Sequence, residues 1–331
     1  MEIFGDEESE IRVDIIQNSI SIALRGSKSM KKSKFRQKTQ NLVEYGLFRG
    51  ALAFFGIFPY RFTRWFLSNL LLFAGYYLGV RKHVAESQMR MVFPEKSDLE
   101  IRKLLKAMYW NLGITVAEIY FGNVEKLAKE CKTENIDYIF DVLKQGKGVL
   151  VNTGHFGNWE LAMHVFAEHQ IPMAAVTKRQ RNPYFDEYTY KWRAKSGLDI
   201  IYKDEAGRNL IKALRANKSV VLLIDQDAGH DGVLTDFLGH PASTYKGIAK
   251  MAIHSKVPIV SAFMIRNEDG SSTAYFVPPI YPDQYPDTEE GVQQLTQDAS
   301  KLLEKQIMAR PELWFWVHRR WKGAKKLMEQ D

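Results

Sequence analysis

From residue 148 onward the chain alternates between two kinds of segment, and this limits its fold more than any other feature. Short β-branched or apolar runs occur at 148–152 (GVLVN), 172–177 (PMAAVT), 219–224 (SVVLLI), 257–265 (VPIVSAFMI) and 273–278 (TAYFVP). Stretches with apolar residues every three or four positions separate them, near 158–170, 184–196, 205–216 and 245–256, and a last one spans about 288–309, closed by Pro311. Strands alternating with helices predict an α/β fold, a mainly parallel central sheet flanked by helices. Residues 83–145 keep a helical period instead, with Asp98 as the expected N-cap. At 331 residues, 45% hydrophobic and 26% charged, the chain can bury a sizeable core and gross disorder is excluded.

The first 82 residues differ. Residues 1–40 read as a basic, disordered extension: after Asp14 no acid appears until Glu44, while Arg25, Lys28, Lys31, Lys32, Lys34, Arg36 and Lys38 fall close together. The acidic start (Glu2, Asp6, Glu7, Glu8, Glu10) does not suit a secretory signal. Residues 41–82 hold two uncharged apolar stretches, "GALAFFGIF" and "WFLSNLLLFAGYYLGV", with Pro59 between them and basic residues on both flanks. The second is shorter than the ~20 residues a spanning helix needs, so a hairpin or a surface-embedded helix pair is expected. Residues 83–326 are then read as one further domain. A net charge of +7 asks for an anionic partner, and the lone Cys131 forms no intrachain disulfide.

The chemistry concentrates where the first strand gives way to a helix, "VLVNTGHFGNWELAMHVF" (149–166). Gly154 and Gly157 permit a tight loop, and Asn158 is a good N-cap. On one helix His155 and Glu160 would diverge by about 140°. A histidine on the preceding loop can fold back over the helix start, donating one ring N–H to Glu160 and leaving the other nitrogen free as a base. The chain has no G-x-S-x-G elbow, so a covalent acyl-enzyme is unsupported.

Other candidates follow the strand ends. Arg193 can grip a phosphate or polarise a carbonyl. Arg179 and Arg181 leave a strand end where open α/β sheets bind ligand. Asp225 and Asp227, in "VVLLIDQDAGH", follow a buried strand; Asp225 is read as a carboxylate ordering Arg193 or the loops. The alternative, a metal-binding D-x-D of a glycosyltransferase, leaves the histidine joint unexplained. "PELWFWVHRRWKGAKK" (311–326) interleaves tryptophans with Arg319, Arg320 and lysines, and reads as a headgroup-level surface rather than a nucleic-acid contact. Core packing of Trp314 and Trp316 is the competing reading.

Taken together, "HFGNWE", "KRQRNP", "RAKSG", "DQDAG", "FLGHPA" and "PELWFWVHRRWK" resemble the late acyltransferases of lipid A biosynthesis, the lauroyl and myristoyl transferases. "HVAESQMRMVFPEKSDLEIRKL" (83–104) also looks like that family's segment after its membrane anchor. The resemblance covers roughly residues 45 to 323 and leaves 1–40 outside. Mycobacterial mannoside acyltransferases share the pattern, so it fixes the reaction better than the acceptor. It implies a glycerolipid-acyltransferase-like fold at the cytoplasmic face of the bacterial inner membrane, with His155, Glu160, Arg193 and Asp225 as the catalytic set. Asn158, Arg179, Arg181, Asp227 and Arg319 are the expected substrate contacts. The acyl donor would be an acyl carrier protein or coenzyme A thioester, the acceptor an anionic glycolipid, and no metal or other cofactor is expected. The oxyanion would be received by backbone N–H groups of the glycine turn or by an arginine. A non-catalytic glycolipid-binding protein of the same fold is the remaining alternative.

Overall fold

The computed structural model describes residues 34–328. Its N-terminal third is helical: α1 (Lys34–Gly56), α2 (Tyr60–Leu72) running into a π-helical turn (Phe73–Tyr77), α3 (Lys82–Val92), α4 (Asp98–Phe121), α5 (Val124–Glu130) and α6 (Asp137–Leu143). Pro59 separates α1 from α2, as a residue without a backbone N–H should. Asp98 is not the cap of α4. Ser97 is, in a reciprocal capping box with Glu100, and Asp98 in the first turn pairs with Arg90 at 2.6 Å.

Seven strands form the central sheet, in the order β1-β9-β8-β2-β5-β3-β4. They are β1 (Lys132–Glu134), β2 (Val149–Thr153), β3 (Met173–Thr177), β4 (Asp199–Tyr202), β5 (Ser219–Leu223), β8 (Ile259–Arg266) and β9 (Ser272–Ile280). All neighbours are parallel except β8 and β9. The antiparallel hairpin of β6 (Gly232–Phe237) and β7 (His240–Tyr245) stands apart.

Successive residues of β2 serve opposite faces. Val149 and Val151 pack with Val142 of α6 and with Val165 and Phe166 of α7 (Leu161–Glu168). Leu150 packs with α9 (Ala206–Arg215), α10 (Gly247–Ser255) and α11 (Glu289–Ala309), through Leu214, Ile248 and Leu295. A strand buried on both faces has no polar side to show, which is why these runs are continuously apolar. α8 (Pro183–Ala194) bridges β3 and β4. A third core joins α3 and α4 to Phe156, Trp314 and Trp316.

One expectation changes here. The basic residues before Lys34 lie outside the described residues, but Arg36 and Lys38 are helical, so α1 begins inside the expected extension. No helix among the described residues is long and apolar enough to cross a membrane. One face of the second apolar stretch packs on α4, where a Cβ on Gly113 would stand 2.4 Å from the Ser68 Cα; only glycine lets these helices approach so closely.

Candidate active site

Strand register assembles the site. Thr153 of β2 lies opposite Leu223 of β5, so two residues further on His155 faces Asp225. The Asp225 carboxylate accepts the His155 backbone N–H at 2.8 Å and contacts the ring Nδ1 at 2.8 Å. It also accepts the Trp314 indole N–H at 2.9 Å. Burial alone would raise the Asp225 pKa; the facing imidazole and these hydrogen bonds outweigh it and hold the carboxyl down at about 2. An ionised carboxylate only accepts, so Nδ1 carries a proton, and in the neutral ring Nε2 presents its lone pair. Nothing among the described residues hydrogen-bonds Nε2. The His155 side chain is 9% exposed, at a rim of Trp159 and Phe315, whose rings lie 5.1 and 6.1 Å from the imidazole.

Glu160 is not the partner of His155. Its carboxylate takes two hydrogen bonds from Arg193, from Nε at 3.1 Å and Nη2 at 2.5 Å, and Arg193 Nη1 also donates to Thr177 at the end of β3, at 3.0 Å. The expected histidine–glutamate contact is therefore replaced by two separate pairs, His155 with Asp225 and Glu160 with Arg193. Asp225 accordingly orders the histidine rather than Arg193.

The loop between these pairs is held from three sides. Its turn needs Gly157: φ is +58°, and a Cβ there would fall 1.8 Å from the Met264 carbonyl oxygen. The Gly157 N–H donates to the Leu313 carbonyl at 2.9 Å, and the Phe315 N–H to the His155 carbonyl at 3.1 Å, so the C-terminal segment straps the loop like a short strand. Below it, Asn158 donates to Glu118 at 2.9 Å, and Glu118 is paired in turn with the buried Arg266. Helix α7 starts only at Leu161, two residues later than Asn158 as N-cap would place it, although Asn158 Oδ1 does accept the Leu161 N–H at 3.1 Å. The N–H groups of His155, Phe156 and Gly157 are all taken, by Asp225, Gly154 and Leu313, so none of these three is offered to an oxyanion.

A protonated Nδ1 locked on a carboxylate, with a bare Nε2 at a rim, is an arrangement for removing a proton. A model of the bacterial lipid A biosynthesis acyltransferase family matches residues 31–323. The chain belongs to that family. It is thus an O-acyltransferase. The lipid A biosynthesis palmitoleoyltransferase of Escherichia coli (strain K12) is 27% identical over 251 residues, 74% of this chain and 80% of the relative. The lauroyltransferase of the same organism is 27% identical over 248 residues, 73% and 79% of the two chains. The phosphatidylinositol mannoside acyltransferase of Mycolicibacterium smegmatis is 23% identical over 220 residues, 65% and 69%.

In this acyltransferase the other sequence candidates scatter. Asn158 is buried and bonded inward, so it holds the loop rather than touching substrate. Arg179 pairs with Glu205 at 2.8 Å on the surface, with its guanidinium 3.7 Å above the Tyr202 ring; Arg181 is exposed on the same loop. Asp227 turns to the Gly323 N–H at 3.1 Å, and burial pushes its carboxyl up; with Asp225 engaged elsewhere, the two aspartates serve separate partners. Arg319 is exposed, whereas Arg320 is fully buried, donating to Ser243 and Thr244 and lying 4.4 Å from the Phe237 ring. Trp314 and Trp316 are core residues, so they are not a headgroup-level surface. Trp314, Thr177 and the Glu118–Arg266 pair were not anticipated. Only the tryptophan sat in a conspicuous motif; the others are placed by register and helix packing.

Proposed function

We propose that this enzyme transfers a fatty acyl chain from an acyl thioester, on acyl carrier protein or coenzyme A, to a hydroxyl of a lipid A precursor or related glycolipid. The observation that carries this reading is the His155–Asp225 pair with an unbonded Nε2. The acceptor hydroxyl gives its proton to Nε2 as its oxygen bonds to the thioester carbon. Asp225 stabilises the imidazolium that forms. When the C–S bond breaks, the proton leaves Nε2 with the thiol. Arg193, held by Glu160 and Thr177, supplies positive charge for the anionic oxygen, and Arg179, Arg181 and Arg319 act as outer anion contacts. The reaction needs no metal, so turnover persists in a chelator.

Residues 83–326 form the catalytic unit and 41–82 the part that meets the cytoplasmic face of the bacterial inner membrane. Support for the latter lies in the exposed apolar side chains of α1, α2 and the intervening turn, among them Leu47, Phe54, Ile57, Phe62 and Trp65. Mass spectrometry of acceptor glycolipid incubated with each thioester donor is the test. A gain of one acyl mass is expected, falling about 10²–10⁴-fold in His155→Ala. No gain with either donor, or His155→Ala within a factor of two of wild type, overturns the reading.

A further inference from the structure

Away from the histidine, α1 and α8 enclose an open cavity of ≈ 370 Å³ whose lining includes Arg49, Lys191 and Lys195. Its carboxylate, Glu187, is already paired with Lys191 at 2.6 Å. Three cations against one acid leave two positive charges facing the cavity. Among the described residues neither Arg49 nor Lys195 pairs with a carboxylate. Arg49 is instead braced on aromatic rings, 6.0 Å from the Tyr45 centroid and 5.9 Å from that of Tyr188, and donates to the Tyr45 hydroxyl at 3.3 Å. Cation–π contact orders a guanidinium without neutralising it. The cavity thus holds a prearranged, uncompensated positive charge beside apolar ring faces.

Its place in the fold says what the charge is for. α8 carries Arg193 on another side, reaching Glu160 and Thr177 at the strand ends. An anion in the cavity would lie about one helix diameter, ~10–12 Å, from that pair. Of the exposed apolar residues of α1, Val43, Leu47 and Phe54 lie on the opposite side of the helix from Tyr45 and Arg49, at ~100° per residue, while Phe35 and Leu42 lie on the same side as these two. Both donor classes carry their acyl group as a thioester on a pantetheine arm with a phosphate at its far end.

We infer that this cavity binds the phosphate of the acyl donor's phosphopantetheine arm, with Arg49 and Lys195 on the phosphate and the tyrosine rings along the arm. The inference rests on the thioester-donor reading above. It is tested with two donors in parallel: an acyl phosphopantetheine, and an acyl N-acetylcysteamine, which presents the same thioester without phosphate. In Arg49→Gln/Lys195→Gln the KM for the first should rise about tenfold or more, as expected for lost charge-assisted hydrogen bonds, with kcat within twofold. The KM for the second should not move. The exposed single variant Lys195→Gln should show a smaller rise of the same kind, and Arg49→Lys/Lys195→Arg should restore the double variant. An equal change for both donors, or none for either, overturns the inference while leaving acyl transfer intact. A rise in the KM of the glycolipid acceptor alone would assign the cavity to a lipid phosphate and overturn it as well. Wild type inactive with every thioester would instead remove the donor reading, and the cavity's assignment with it.

Discussion

At the scale of single residues, the site consists of two pairs that a five-residue spacing made look like one. His155→Ala removes the base, and Asp225→Asn removes the charge that stabilises its protonated form while presenting an amide where N–H groups already point. Each is expected to lower kcat by about 10²–10⁴-fold, and the double variant should be little worse than the worse single, because the second change acts on a function already lost. Glu160→Gln and Arg193→Ala should likewise be non-additive with each other. Combinations across the two pairs should come closer to multiplying. Steady-state kcat for the four singles and the two within-pair and two cross-pair doubles checks this; strong coupling between 155 and 160 would restore the direct dyad. A second residue-level consequence concerns His318, which burial pushes down to about 3. The unfolded chain, with an ordinary histidine near 6.5, binds the proton first, so stability falls as pH drops from about 6.5 towards 3. His164 shifts the same way by burial, and Asp225 adds its own loss only below about 4, since its folded value is near 2. His318→Gln should flatten the dependence of Tm on pH between 7 and 4; an unchanged slope would take His318 out of it.

At the scale of elements, the strap over the glycine turn explains why a C-terminal segment belongs to a site built by strands far earlier in the chain. Gly157→Ala forces a Cβ into the Met264 carbonyl at a positive φ, and a strained residue of this kind costs ~1–3 kcal/mol before the clash is counted. Lower Tm and lost turnover should appear together, whereas Gly146→Ala, also at positive φ but with open space around it, should leave turnover unchanged. Assays of the two variants side by side separate loop geometry from general strain. The elements themselves were unevenly legible. The five longer strands of the central sheet stood out because their runs are mostly apolar, β2 and β8 being buried along nearly their whole length. β1 and β4 are only 3 and 4 residues long, too short to carry a period. The β6–β7 hairpin hid for another reason: its turn places Leu238 and Gly239 at φ +54° and +80°, and leucine does not announce such a turn. The His155–Asp225 contact depends on which strand lies beside β2, a long-range choice, while Glu160 was the nearest carboxylate in sequence. The glycine turn could be read locally; its partners could not.

At the scale of the whole molecule, the mainly parallel sheet points strand ends at the two pairs proposed to act in catalysis, and the helices before it carry exposed apolar side chains. Phe54 and Ile57, 56% and 79% exposed, stand at the end of α1 and just beyond it, ahead of the bend at Pro59, and neither belongs to a core cluster. In water such side chains give folding nothing; at a bilayer boundary each contributes roughly 1.5–3 kcal/mol when fully buried. Removing both should therefore weaken membrane partitioning by about 3 kcal/mol or more, a hundredfold or more in affinity. The expected result for Phe54→Ser/Ile57→Asp is a shift from sedimenting with vesicles to the supernatant, at unchanged Tm. Turnover on a detergent-dispersed acceptor should survive, and turnover on the same acceptor in vesicles should fall. If Tm drops with partitioning, these residues belong to the fold. If neither Tm nor partitioning moves, the chain meets its lipid through some other surface.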